Sequence, residues 1–207
     1  MGHKLPGFET GRSVTPREIL YSPEGVQYKP GGIVVDGTKS KDGANTNYTF
    51  ELRAGWAMGQ ITASGKYCPC KRTQVNGTSG SVQAVVVDNA APFVVGDVVT
   101  IGSDTGNTLT AVDYTTNTLT WVGAITVADN DAVFCEDGSG ICRGFLPEWT
   151  RLRNIDNDAA EDQSASLLTA GRLNKAMLLG DIDAIIATLS SHFLNQIEIW
   201  SSDVRVA

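Results

Sequence analysis

Four cysteines are the side chains of this chain best suited to bind a metal or to form cross-links: Cys68, Cys70, Cys135 and Cys142. Zinc ribbons usually place two residues inside each cysteine pair, whereas here one residue separates the first pair and six separate the second. We therefore predict thiols and no metal or other cofactor. A disulfide between one cysteine of each pair remains an alternative if the protein reaches an oxidising medium.

Paired carboxylates are the second group with chemical potential. They lie in Gly-, Asn- and Ser-containing stretches, where Asp is favoured because it binds nearby backbone N–H groups. Turn formation is the preferred interpretation, and a calcium site or a glycosidase-type pair are the alternatives. His3 and His192 have no neighbouring carboxylate and nucleophile that would suggest a catalytic triad, so we expect no enzyme. The pairs are Asp129/Asp131, Glu136/Asp137 and Asp181/Asp183.

The charge is divided unevenly along the 207 residues, whose net charge is −7. Residues 1–72 carry a balance of +4 and residues 73–207 a balance of −11, and no basic residue lies between Arg72 and Arg143. The overall negative charge argues against nucleic acid as a partner, and no apolar run is long enough for a membrane helix. The division predicts two surfaces with different roles.

The first part of the chain, residues 1–52, has the composition of an extended arm. Four prolines and eight glycines interrupt it, and few of its residues could build a core. Such a segment becomes ordered by lying on another surface. Its start lacks the apolar stretch of a signal peptide, so we expect folding in a cytoplasm.

The remainder is predicted to be mainly β with minor α. Residues 80–135 contain five short strand patterns separated by turns, which favour a small barrel or sandwich. We interpret residues 73–143 as an acidic β module inserted into a core formed by residues 53–72 and 144–207. Within that core, residues 176–183 are predicted to form a buried strand, and residues 184–194 show helical spacing.

Three short stretches together resemble one protein family. Residues 52–67 read LRAGWAMGQITASGKY, residues 144–146 read GFL, and residues 176–183 read AMLLGDID. This combination is similar to the head decoration proteins of tailed phages, the lambda D-like family. In that family an L-x-x-G-x-x-(M/L)-(G/A)-x-(I/V)-T-x-(S/T)-G-K-(Y/W) run follows a flexible N-terminal arm. The 73–143 segment is longer than the compact members of the family carry.

The resemblance implies a capsid decoration, or cement, protein on the outer surface of the virion. Its expected partners are the major capsid protein and its own copies in a homotrimer, with no nucleic acid and no membrane. The arm would add a strand to the shell, and several arms together would provide avidity. The residues expected to contact the shell or neighbouring subunits are Arg12, Arg17, Lys29, Ile33, Val34, Val35, Lys39, Lys41, Arg53 and Trp56.

Two other functions remain open on the sequence. The β module could bind a host surface or a glycan, as a component of a phage tail or fibre would. The aromatic residues available for stacking on sugars are Phe93, Tyr114, Trp121 and Phe134. The third hypothesis for the function is a small hydrolase that uses the paired carboxylates, although the sequence places no base and nucleophile together.

Overall fold

The computed structural model describes residues 18–46, 48–77, 80–154, 156–189, 196–201 and 204–205. Strands account for 48% of the structure and helix for 5%. The fold is therefore mainly β with minor α, which confirms the fold class expected from the sequence. The strands divide between a large mixed sheet, a second curled sheet and one two-stranded pair.

In chain order the strands are β1 (Leu20–Tyr28), β2 (Ile33–Val35), β3 (Glu51–Leu52), β4 (Ala57–Gln60), β5 (Tyr67–Pro69), β6 (Arg72–Gln74), β7 (Ser81–Val86), β8 (Val98–Ile101), β9 (Asp104–Asp113), β10 (Thr118–Thr126), β11 (Ala132–Cys135), β12 (Cys142–Phe145), β13 (Thr150–Arg151), β14 (Gln163–Ala165), β15 (Leu168–Asn174), β16 (Ile197–Ser201) and β17 (Val204–Arg205). A 3-10 helix spans Lys175–Met177 and the α-helix α1 spans Ile182–Ile186.

The large sheet has the order β14-β2-β5-β4-β12-β15-β16-β17, and β1 pairs with β15 as well. Two adjoining apolar clusters fill this part of the molecule. One lies between β15, β16 and α1, and the other surrounds Trp56 and Leu52. We refer to this part, together with the β3–β13 pair, as the main body.

The second sheet has six strands in the order β6-β11-β8-β9-β10-β7. It curls until its two ends meet, because Val75, just after β6, forms a bridge with Val87, just after β7. Its interior holds a separate apolar cluster that includes Phe93 and Trp121. We refer to this sheet and its loops as the barrel. Alternating apolar residues point into it, as the period of a half-buried strand requires.

The prediction of an extended arm over residues 1–52 is wrong from residue 19 onward. Ile19, Ile33 and Val35 are buried, β1 runs antiparallel to β15, and β2 lies between β14 and β5. The apolar residues of this segment are few, but they occupy central positions of the main body. Pro30, Gly31 and Gly32 lie in the turn that returns the chain from β1 to β2, whereas Pro23 and Gly25 lie within β1. Residues 1–17 lie outside the described part.

Two further expectations need correction near the C-terminal end. Residues 176–183, predicted to be a strand, form the 3-10 helix, a turn and the start of α1. Asn174 and Asp181 cause this, because each side chain accepts a backbone N–H at the start of a helical turn. The sequence predicts a helix over 184–194, and the structure has α1 at Ile182–Ile186. Residues 190–194 lie outside the described ones.

Gly59 provides a test of how closely β4 packs. A Cβ atom added there would lie 2.0 Å from the backbone oxygen of Ser139. We expect Gly59→Ala to lower the free energy of unfolding by about 3 kcal/mol, because backbone atoms must move to admit the methyl group. Denaturant unfolding measures this. Gly80→Ala is the matched control, because no atom of the described residues lies within 4 Å of its added Cβ, and equal stability of the two variants would contradict the packing described here.

Candidate interaction surface

The three stretches that carry the family resemblance meet at one point of the main body. The backbone N–H of Gly55 donates to Leu146, and the N–H of Leu146 donates to Trp56, both at 2.8 Å. On the other side, Leu179 donates to Gly55 at 2.8 Å and Ala57 donates to Leu179 at 3.1 Å. Segments separated by about 90 and 30 residues in the chain are thus joined by four main-chain hydrogen bonds. We call this the Gly55 junction.

Gly55 is required at this junction for a steric reason. Its φ is +100°, and a Cβ atom there would lie 2.2 Å from the backbone oxygen of Met177. Trp56 follows it and is almost fully buried. The expectation that Trp56 contacts a partner is therefore wrong, because its indole fills the core beneath the junction.

Other expected contact residues are also engaged inside the molecule. β2 lies between β14 and β5, so Ile33, Val34 and Val35 have no free strand edge for addition to a neighbouring sheet, and the strand addition expected of them is wrong. Arg53 donates two hydrogen bonds to the fully buried Asp42, from Nε to Oδ2 at 2.7 Å and from Nη2 to Oδ1 at 2.9 Å. This paired geometry makes Arg53 a structural residue of the main body.

Lys29 and Val34 do lie on the surface. They flank the turn between β1 and β2, where Gly32 donates to the backbone oxygen of Lys29. Val34 is 45% exposed and Tyr28, which the sequence reasoning did not select, is 49% exposed. We call Tyr28, Lys29 and Val34 the turn surface. It combines two exposed apolar side chains with a cation, a composition suited to protein contact.

The remaining expected contacts divide into two groups. Lys39 and Lys41 are half-buried: the Lys39 Nζ lies 3.8 Å from Asp97, and the Lys41 Nζ lies over two aromatic rings. Arg12 and Arg17 lie outside the described residues.

A buried ion pair joins the main body to the barrel. The Lys71 Nζ donates to both carboxylate oxygens of Asp97 at 2.7 Å, and neither side chain is measurably exposed. Asp97 also accepts the backbone N–H of Val94 at 2.8 Å. Burial lowers the pKa of Lys71, but Cys68, Asp97 and Cys135 nearby and the hydrogen bond to Asp97 together outweigh burial, so the pKa of Lys71 is raised. Sequence reasoning missed this pair because its members are 26 residues apart and share no recognisable motif.

The four cysteines are buried free thiols. Burial raises the pKa of Cys68 and Cys142 to about 12 and the pKa of Cys70 and Cys135 well above the ordinary value. Protonated, inaccessible thiols are poor nucleophiles and poor metal ligands. Among the described residues no group of three or more His, Cys, Asp or Glu is arranged to hold a metal ion.

Three of the six paired carboxylates, Asp131, Asp137 and Asp181, bind a backbone N–H two or three residues away, as predicted for turns, and the other three make longer-range contacts. Asp129 accepts the N–H of Gly77, Asp131 that of Ala128, and Asp181 that of Ala184. In addition, Glu136 binds Gly106 and Asp137 binds Ser139. Asp183 forms an ion pair with Lys175. Each of these groups therefore has a structural partner.

The aromatic residues considered for sugar stacking are mostly engaged inside the barrel. Phe93 and Trp121 are buried, Phe134 stacks beneath the guanidinium of Arg72 at 4.6 Å, and Tyr114 donates to the backbone oxygen of Phe93. A carbohydrate could not reach the first two without opening the core.

No family model, curated protein or solved structure matches the chain. None of the helices in the described ranges has the length and apolar character needed to cross a bilayer. What can be concluded about function therefore depends on the residues and their geometry.

The Lys71–Asp97 pair is open to a double-mutant cycle. We expect Lys71→Met and Asp97→Asn each to cost about 3–5 kcal/mol of unfolding free energy, because each leaves one buried group without its partner. The double variant should lose less than the sum of the two, as measured by denaturant unfolding. Additive losses would mean that the two side chains do not interact as described.

The buried thiols predict a pH dependence of both reactivity and stability. At pH 8 a thiol reagent such as dithionitrobenzoate should leave all four cysteines unmodified in the native protein and react with all four after unfolding. Because their pKa values are raised above the ordinary 9.0 in the folded state, unfolded thiols ionise first. The contribution of these thiols to the free energy of unfolding should therefore be constant well below pH 9 and fall as the pH rises from 9 towards 12. Rapid native-state labelling at pH 8 would contradict this burial.

Proposed function

We propose that this chain is a viral capsid decoration protein that binds the outer surface of an expanded phage head and stabilises the contacts between capsomers. The observation that carries the proposal is the Gly55 junction. Three short sequence matches scattered over a chain are weak evidence when taken singly. Here they form one hydrogen-bonded unit, which is the arrangement expected if they were inherited together.

The barrel leaves this unit intact, which also supports the proposal. The chain enters the barrel at β6 and leaves it after β11, and these two strands pair with each other, Thr73 opposite Val133. The excursion of about 60 residues therefore begins and ends at adjacent points. An insertion of this geometry adds a module without disturbing the sheet that receives it.

The turn surface is the proposed contact with the shell. Tyr28 and Val34 supply apolar area and Lys29 supplies a cation, so a shell surface with exposed carboxylates would be complementary. The barrel, which carries eight of the carboxylates and no cation between Arg72 and Arg143, would then face away from the shell and favour solubility. The proposed partners are the major capsid protein and further copies of this chain in a homotrimer. The proposed location is the virion surface, and no enzymatic activity is proposed.

A deletion of residues 1–50 cannot test this proposal, because it would remove β1, β2 and the buried Ile33 and Val35. Exposed positions offer a better test. We expect Val34→Asp to weaken binding to expanded heads by about tenfold or more, because docking would bury an unpaired carboxylate. Co-sedimentation with heads prepared without this protein measures the affinity.

Val122→Asp is the matched control for that experiment. Val122 is 83% exposed on the barrel, so the same substitution there should leave head binding unchanged and also report on general effects of added negative charge. Failure of the unmodified protein to bind expanded heads at all would refute the proposed function. Equal weakening by both substitutions would refute the turn surface as the contact.

A further inference from the structure

A cluster of cations and aromatic rings lies where the barrel meets the main body. The Lys41 Nζ is 5.5 Å from the centre of the Phe50 ring and 4.7 Å from that of Tyr114. The Arg153 guanidinium carbon is 3.7 Å from the centre of the same Phe50 ring. All four side chains are half-buried. We call Lys41, Phe50, Tyr114 and Arg153 the cation cluster.

The cluster is held in place by neighbouring backbone. The Tyr114 ring packs directly on Gly43, where an added Cβ atom would lie 2.2 Å from the ring, and its hydroxyl donates to Phe93 at 2.9 Å. Tyr114 comes from the barrel, Lys41 and Phe50 from the segment before β3, and Arg153 from the segment after β13. Three parts of the chain that are distant in sequence thus build one rigid surface.

The two cations of the cluster lack a carboxylate partner within the described part of the chain. Arg153 donates only to the backbone oxygen of Asp158, at 3.4 Å, and its buried Nε has no acceptor. Among the described residues, the contacts of the Lys41 Nζ are with the two rings. By contrast, Lys66 has the Asp162 carboxylate at 2.7 Å. Burial and the nearby Arg153 guanidinium lower the pKa of Lys41, as expected when like charges are partly desolvated without a counter-ion.

We infer that the cation cluster is a binding site for a carboxylate side chain presented by a neighbouring protein. A carboxylate seated between the ammonium and the guanidinium would satisfy both cations while its aliphatic part lies on the Phe50 ring. The acidic barrel beside the cluster disfavours a long polyanion such as nucleic acid, whereas a single acidic side chain meets little repulsion. The inference deepens the proposed function, because it rests on that function for the identity of the neighbour, which would be the major capsid protein of the shell.

The site is tested directly with the full-length protein and a blocked peptide that carries a single glutamate between glycines. Nuclear magnetic resonance of the lysine side chains should show the Lys41 signal shifting as this peptide is added, with the pKa of Lys41 rising, while the same peptide with glutamine in place of glutamate produces no change. Inorganic phosphate is included as a second anion, and a larger response to phosphate than to the peptide would overturn the choice of a carboxylate. Equal shifts at Lys41 and Lys66 would show general charge attraction and overturn the site.

Head binding supplies the second arm of the test. We expect Lys41→Gln to weaken binding to expanded heads by about tenfold, the effect of losing one charge-assisted hydrogen bond, and Lys41→Arg to retain it. Lys66→Gln is the control, because it removes the same charge from a lysine that already has a partner. If the unmodified protein binds heads and the two glutamine variants bind equally well, the inference fails while the proposed function stands. If the unmodified protein does not bind heads, the proposed function fails and the peptide titration alone decides the inference.

Discussion

A fully buried lysine remains charged where a carboxylate faces it, as Asp97 faces Lys71. This pair lies where the chain passes from the main body into the barrel. Lys71 lies in the connection from β5 to β6, and Asp97 lies just before β8. Because Asp97 also holds the Val94 N–H, the pair fixes the end of the barrel against the main body. Exposed ion pairs are screened by water and contribute little, but a buried pair constrains geometry strongly, since separating it would strand a charge.

The same constraint explains how one chain accommodates two cores. The main body closes around the Gly55 junction and the barrel closes through the Val75–Val87 bridge. The two bodies are joined by specific contacts: the N–H of Gly43 donates to Ala91 of the barrel at 3.0 Å, and Ala91 packs with the apolar cluster around Trp56. The ion pair is one of these, and the Tyr114 ring on Gly43 is another. The surfaces that the two bodies form together therefore have a defined shape, which a flexible linker would not provide.

The distribution of charge along the chain differs from its distribution in space. Residues 1–72 carry an excess of cations in the sequence, but Arg53 is paired with Asp42 and Lys71 with Asp97, an acid of the barrel. The cations left for contacts with other proteins are fewer and more localised than the count suggests. Many barrel carboxylates accept hydrogen bonds from backbone N–H groups. These acidic residues therefore have a structural role in addition to making the barrel surface negative.

The sequence alone determined the fold class, the short strands of the barrel and the turn role of Asp131, Asp137 and Asp181. These properties are local, because alternating apolar residues and Asp-containing turns act within a few positions. Only the tertiary structure decided that residues 19–52 belong to the main body. Ile33 and Val35 look like isolated apolar residues in a proline-rich leader, and their burial depends on partners such as Ala165 and Tyr67. The same holds for Lys71 with Asp97, and for Lys41, Phe50 and Arg153, because a charge or ring acquires its partner through long-range contacts that leave no periodic pattern in the chain.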